Sequence, residues 1–120
     1  VPESGAARFQ VLRTQALADG ILDAGILVFY ERTLRPSELH WEPWIAGQTQ
    51  KAHQGLDALE GMVEGFGADV DLGQICVAIT LAWLEFRDAV GDLRQGRKAL
   101  FRWYDAFAKR PSMLATIPHA

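Results

Sequence analysis

Only one cysteine, Cys76, occurs in the 120 residues. It cannot close an internal disulfide or supply a four-thiolate zinc site, so an oxidised framework and a structural-zinc module lose their support, and a cytoplasmic location is expected. An excess of charge is missing too. Against 12 Lys plus Arg stand 15 Asp plus Glu, a net charge of −3 that builds no field to gather a polyanion, so nucleic acid is not an expected partner. No apolar run is long. The uncharged stretch around Cys76, Leu72 to Leu84, has thirteen residues, short of the ~20 that cross a bilayer, so no membrane partner is expected. The first residues, Val1-Pro2-Glu3-Ser4-Gly5, lack the basic start and apolar segment of a secretory signal. Alternating runs flanked by hairpin dipeptides are absent, and so is any internal period.

What remains is the composition of one folding unit, 49% hydrophobic and 22% charged. From Ala6 to Leu34 good helix formers run without proline, and Leu17, Ile21, Ala24 and Val28 recur at helical spacing. One long helix of roughly 43 Å is predicted at ~1.5 Å per residue, with Gly20 and Gly25 as bend points. Arg35-Pro36-Ser37 breaks it. A second helix starts near Pro43 and carries Trp44, Ile45, Gln48, Ala52, Leu56, Leu59 and Val63 inward, ending among Gly65, Phe66 and Gly67.

Asp71-Leu72-Gly73-Gln74 has capping-box spacing, with Val70 and Ile75 placed to staple the turn. Beyond it, Ile75 to Leu84 is apolar on nearly every side, which predicts a third helix surrounded by the others. Gly91 and Gly96 bracket a turn, and a fourth helix from about Arg97 to Arg110 presents Leu100, Trp103, Tyr104 and Phe107. Pro111 stops that helix and Ser112 to Ala120 form a short tail. The expected class is all-α, a bundle of four main helices plus the tail.

Few residues offer chemistry. Gly91 to Lys98 superficially resembles a phosphate loop, but no Ser or Thr follows Lys98 and no strand precedes Gly91, so it reads as a turn with solvated charges. His40, His53 and His119 lack the spacing that aims two imidazoles at one metal and read as surface or capping residues. Cys76, inside an apolar helix, reads as a packing thiol that burial keeps inert. Nothing has the context of a hydrolytic triad.

Asp19 and Asp23 are more informative, because their four-residue spacing puts two carboxylates on one helix face, where they repel. A cation from a ligand or partner chain would relieve them; two solvated surface acids is the equal alternative. Arg8 and Gln15 extend that polar line toward the N-terminus. Trp83, at the end of the all-apolar helix, offers a flat hydrophobic wall with one donor, or simply packs in the core.

Taken together, Ala16 to Ala24 (Ala-Leu-Ala-Asp-Gly-Ile-Leu-Asp-Ala), Phe29-Tyr30-Glu31-Arg32, Arg35-Pro36, Trp44, Gln48, Lys51, Leu59, Glu60, Asp71 to Gln74, Leu84-Glu85-Phe86-Arg87, Trp103, Phe107 and Arg110-Pro111-Ser112 follow one order. Over nearly the whole chain this order resembles the C-terminal helical domain of bacterial glutathione S-transferases. Family members commonly carry Ser or Thr at the cap and Asp three residues on; Asp71 and Gln74 depart from that form while keeping a capping geometry.

The resemblance implies that residues 1–5 are a linker remnant and 6–120 the helical domain. It implies a partner too: a thioredoxin-like N-terminal domain, absent from this chain, that binds glutathione and carries the thiol-activating residue. The chain then reads as a fragment, with a chain encoded in this form as the alternative, and has no catalytic residue, cofactor or metal of its own; glutathione is the co-substrate of the complete enzyme. By the same resemblance the first and third helices wall the site of a small hydrophobic electrophile, with Trp83 lining it, and the domain contributes to a homodimer. Asp19 or Asp23 then reaches the α-ammonium of glutathione bound to the neighbouring subunit, with Arg8 and Gln15 beside them. A non-catalytic assembly module of the same fold is the alternative. Loss of a docked domain also predicts an exposed apolar patch beside the start of the long helix.

Overall fold

A computed structural model of the protein describes residues 1–119. Helices account for most of them: α1 (Gly5–Thr33), α2 (Glu42–Met62), α3 (Leu72–Arg87), α4 (Lys98–Phe107) and the short α5 (Pro111–Ala115), with single 3-10 turns at Ser37–Leu39 and Val63–Gly65 and no strand among the described residues. The class is all-α, as the periodicity requires. The bundle measures 48 × 30 × 27 Å, its length set by α1, which at ~1.5 Å per residue is nearly as long as the molecule.

α1 packs against both α2 and α3, burying Val11, Thr14, Ala18, Ile21, Ala24, Gly25 and Val28. It runs parallel to α3. Gly73 meets Val11 and Thr14, the Thr80 hydroxyl donates to the Ala18 carbonyl at 3.2 Å, and Gly25 meets Leu84. Gly25 serves close approach, since a Cβ there would lie 2.5 Å from Leu84 Cδ2. α1 is one unbroken helix through Gly20 and Gly25.

The cap of α3 forms in half. Asp71 Oδ1 accepts from the Gln74 amide at 2.9 Å, but the Gln74 side chain does not return to the cap; buried, it donates to the carbonyls of Gly67 and Asp69, both at 3.1 Å. Those carbonyls belong to an otherwise unpaired loop, and satisfying them outweighs the reciprocal box. The expected staple leaves both Val70 and Ile75 exposed.

The fourth helix is shorter than expected, because Pro111 opens α5 instead of leaving a bare tail; a proline is well suited to a first helical turn. The start of α4 has no side-chain cap of its own. Glu60 of α2 supplies one, accepting from the Ala99 and Leu100 amides at 3.1 and 2.7 Å.

The turn before α4 is also not a loop of solvated charges. Arg97 is 5% exposed and donates to Asp57 Oδ1 at 2.8 Å, the Leu93 carbonyl at 3.0 Å and His53 Nδ1 at 3.1 Å. His53 in turn reaches the Val90 carbonyl through Nε2 at 2.7 Å, so this histidine braces the turn from a half-buried position rather than standing on the surface. Arg94 bridges Glu85 and Asp105 at 2.8 and 3.0 Å and covers the Phe101 ring at 4.5 Å. The two arginines fasten the α3–α4 connection to α2 and α4.

Candidate functional site

α3 supplies the first surprise. Its apolar residues predict burial on all sides, yet only one side is covered: Gly73, Gln74, Val77, Ala78, Thr80, Leu81 and Leu84 face α1 and the core. Leu72, Ile75 and Ile79 stand 37, 39 and 50% exposed at helical spacing. Among the described residues no further helix lies over them. An apolar stripe therefore runs down the outside of α3, and Phe9, 71% exposed near the start of α1, is a further bare apolar side chain.

Beside this stripe lies the polar line of α1. Arg8 and Gln15 are half-buried, whereas Asp19 and Asp23 are exposed, and neither acid makes an ion pair among the described residues. Arg8 Nη1 donates to the Pro2 carbonyl at 3.0 Å, tying the N-terminal residues back onto the helix. Asp19 of α1 is near enough to Cys76 of α3 for its charge to act on the thiol. Partial burial, and then the Asp19 carboxylate, push the Cys76 thiol above its ordinary pKa, because both disfavour the thiolate.

Trp83 lies further along α3. Its indole is half-buried, with Phe29 of α1 meeting it edge-on at 5.7 Å and 78°. It borders a cavity of about 580 Å³ lined by Ile79, Trp83, Phe86, Tyr104, Met113 and Ile117 among others. The α5 residues and the segment after them fold back to form its far side. Burial, then the nearby Glu85 carboxylate, raise the Tyr104 phenol, so it stays protonated beside this apolar space. Glu85, also on the lining, is held by Arg94. Such a cavity fits an apolar molecule of modest size.

The structure thus divides the residues singled out from sequence. Arg8, Gln15, Asp19 and Asp23 share one edge of α1, and none of them lines the cavity. Trp83 does, and α3, α4 and the C-terminal segment build the space around it. Phe86, Met113, Leu114 and Ile117 were not among the candidate site residues. Phe86 stands three residues after Trp83, and that spacing was the available signal; the C-terminal segment carries none, since its place depends on the fold. Among the described residues no group of three metal-ligating side chains converges, and no helix is long and apolar enough to cross a membrane.

Comparison with known proteins gives the same architecture a family context. The family model for the glutathione S-transferase C-terminal domain matches residues 42–106. An uncharacterized GST-like protein of Escherichia coli (strain K12), YibF, is 31% identical over 121 residues, covering 98% of this chain and 59% of that protein. A glutathione transferase family member from Pseudomonas fluorescens Pf-5, solved with bound S-(propanoic acid)-glutathione, superimposes with a TM-score of 0.95 at 42% identity, covering all of this chain and 62% of that one. A glutathione S-transferase from Methylobacillus flagellatus KT with glutathione bound gives 0.90 at 31% identity, over 99% of this chain and 60% of that one. The chain spans about three fifths of the length of these relatives.

Proposed function

This chain belongs to the glutathione S-transferase C-terminal domain family, and from that membership we propose that it is the electrophile-binding and dimer-forming half of a glutathione transferase. The thioredoxin-like half that binds glutathione and activates its thiol is the partner this reading requires. The observation that carries it is the placement of Trp83: a half-buried indole lining an apolar cavity that continues, through Ile79, into an uncovered apolar stripe on the same helix. A core tryptophan has no such opening, and a helix complete by itself has no such stripe.

In this division of labour the glutathione thiolate comes from the other half. It attacks the electrophile held against Trp83, a carbon–sulfur bond forms, and the leaving group departs with its electron pair. The present chain contributes position and exclusion of water, which lower the barrier by converting an encounter into a held geometry. Asp19 and Asp23 are proposed to face the α-ammonium of glutathione on a second subunit, a cation that would relieve their repulsion. The relatives solved with glutathione and with S-(propanoic acid)-glutathione support glutathione as the co-substrate. The exposed stripe also suits a non-catalytic assembly module, which buries apolar surface against a partner without chemistry.

One assay separates the two. Glutathione conjugation is measured with this chain alone and again after its N-terminal half is added. The transferase reading expects no turnover above the uncatalysed rate for the chain alone and turnover once the halves are joined. Turnover by the isolated chain contradicts the division of labour, and inactivity of the joined protein toward a range of electrophiles favours the assembly module.

A further inference from the structure

Arg87 closes α3 one turn beyond Trp83, and its guanidinium carbon lies 5.2 Å from the Phe29 ring centroid and 4.6 Å from that of Phe86. Two aromatic rings therefore hold this cation in place. Phe86 lines the cavity, and Phe29, outside the lining, meets Trp83 edge-on. Arg35, Arg94 and Arg97 each have a carboxylate partner, whereas Arg87 makes no ion pair among the described residues. Glu85 is the one acid on the described lining, and Arg94 already pairs with it. Arg87 is not itself part of the lining, but its guanidinium packs on Phe86, which is, so an N–H fork without an ion-pair partner stands next to the cavity and suits a carboxylate.

We propose that Arg87 selects anionic electrophiles: the co-substrates this half favours carry a carboxylate on an apolar, aromatic or unsaturated body, the body against Trp83 and the acid at Arg87. This rests on the transferase reading and adds a substrate class to it. Arg87 also complements the negative C-terminal end of α3, a role that affects stability but not the choice between two substrates.

The test uses a matched pair, 4-chloro-3,5-dinitrobenzoate and its carboxamide, with the whole gene product that contains this chain. In both reactions the glutathione sulfur bonds to the ring carbon that loses chloride, and chloride leaves with the bonding pair. The quantity read is the ratio of kcat/KM for the benzoate to that for the benzamide. Arg87→Gln is expected to lower the ratio about fivefold, as for loss of one exposed charge-assisted pair. Arg87→Lys keeps part of it, and Arg102→Gln, an exposed arginine on α4, leaves it unchanged.

Raising the salt concentration reads the same interaction in the unaltered protein and is expected to lower the ratio through screening. A ratio unmoved by Arg87→Gln, or indifferent to salt, overturns the proposal. Binding titrations with the same pair keep the two ideas apart. If the protein conjugates neither compound yet binds the benzoate more tightly through Arg87, the transferase reading falls and the arginine's role stands; equal binding of both by the unaltered protein and by Arg87→Gln overturns the role itself.

Discussion

The Asp19 carboxylate of α1 acts on the Cys76 thiol of α3. Burial is the larger reason the thiol is raised and the carboxylate the second. The sign is fixed: a thiol with a raised pKa in the folded state holds its proton better there than in the unfolded chain. Its contribution to stability is therefore full below the unfolded value of about 8.5 and declines as pH climbs through the folded one. Asp19→Asn removes the repelling charge and favours the thiolate, so alkylation of Cys76 by iodoacetamide at pH 8 is expected to speed up. An unchanged rate would mean that the carboxylate does not act on the thiol. Single residues were the hardest features to read from sequence. Arg97 looked like a solvated turn residue because its partners, His53 and Asp57, lie 44 and 40 positions away. Glu60 capping α4 from α2 has the same cause. Asp71, whose partner is three residues along, was legible.

Helices were legible where their signals are local. Proline and glycine punctuation located the breaks at Arg35-Pro36 and Gly65 to Gly67, and apolar spacing identified all four long helices. What spacing could not show is which side of α3 would be left bare, since that depends on how many neighbours pack around it. Glycines were similarly ambiguous. Gly20 has open space around a would-be Cβ, whereas Gly73 would place one 2.9 Å from Thr14 Cβ and 3.0 Å from the backbone oxygen of Val11. The α1–α3 contact is thus held close by a small residue facing a backbone that cannot step aside. Gly73→Ala is expected to lose about 1–3 kcal/mol in urea unfolding through overpacking. By contrast, Gly20→Ala gains roughly 0.5–1 kcal/mol by removing a flexible residue from a helix interior. Equal stabilisation by both would contradict the close packing assigned to Gly73.

In the molecule as a whole, one side of the bundle leaves apolar surface uncovered. Its parallel α1–α3 pair, the uncovered Leu72–Ile75–Ile79 stripe and the cavity beneath Trp83 are the features a docked second domain and a captured electrophile would use. The stripe runs on α3 and not only beside the start of α1, so the apolar patch is longer than the sequence implied. The cavity was beyond sequence reasoning, because Met113 to Pro118 must fold back to close it. The most direct measurement is a steady-state kinetic comparison of the whole gene product with its Trp83→Leu variant, varying glutathione and an apolar electrophile separately. The proposed wall predicts a rise of roughly five- to tenfold in KM for the electrophile, from loss of an aromatic contact surface, with KM for glutathione nearly unchanged. An electrophile KM that does not move, or one that rises only in step with that for glutathione, would contradict it.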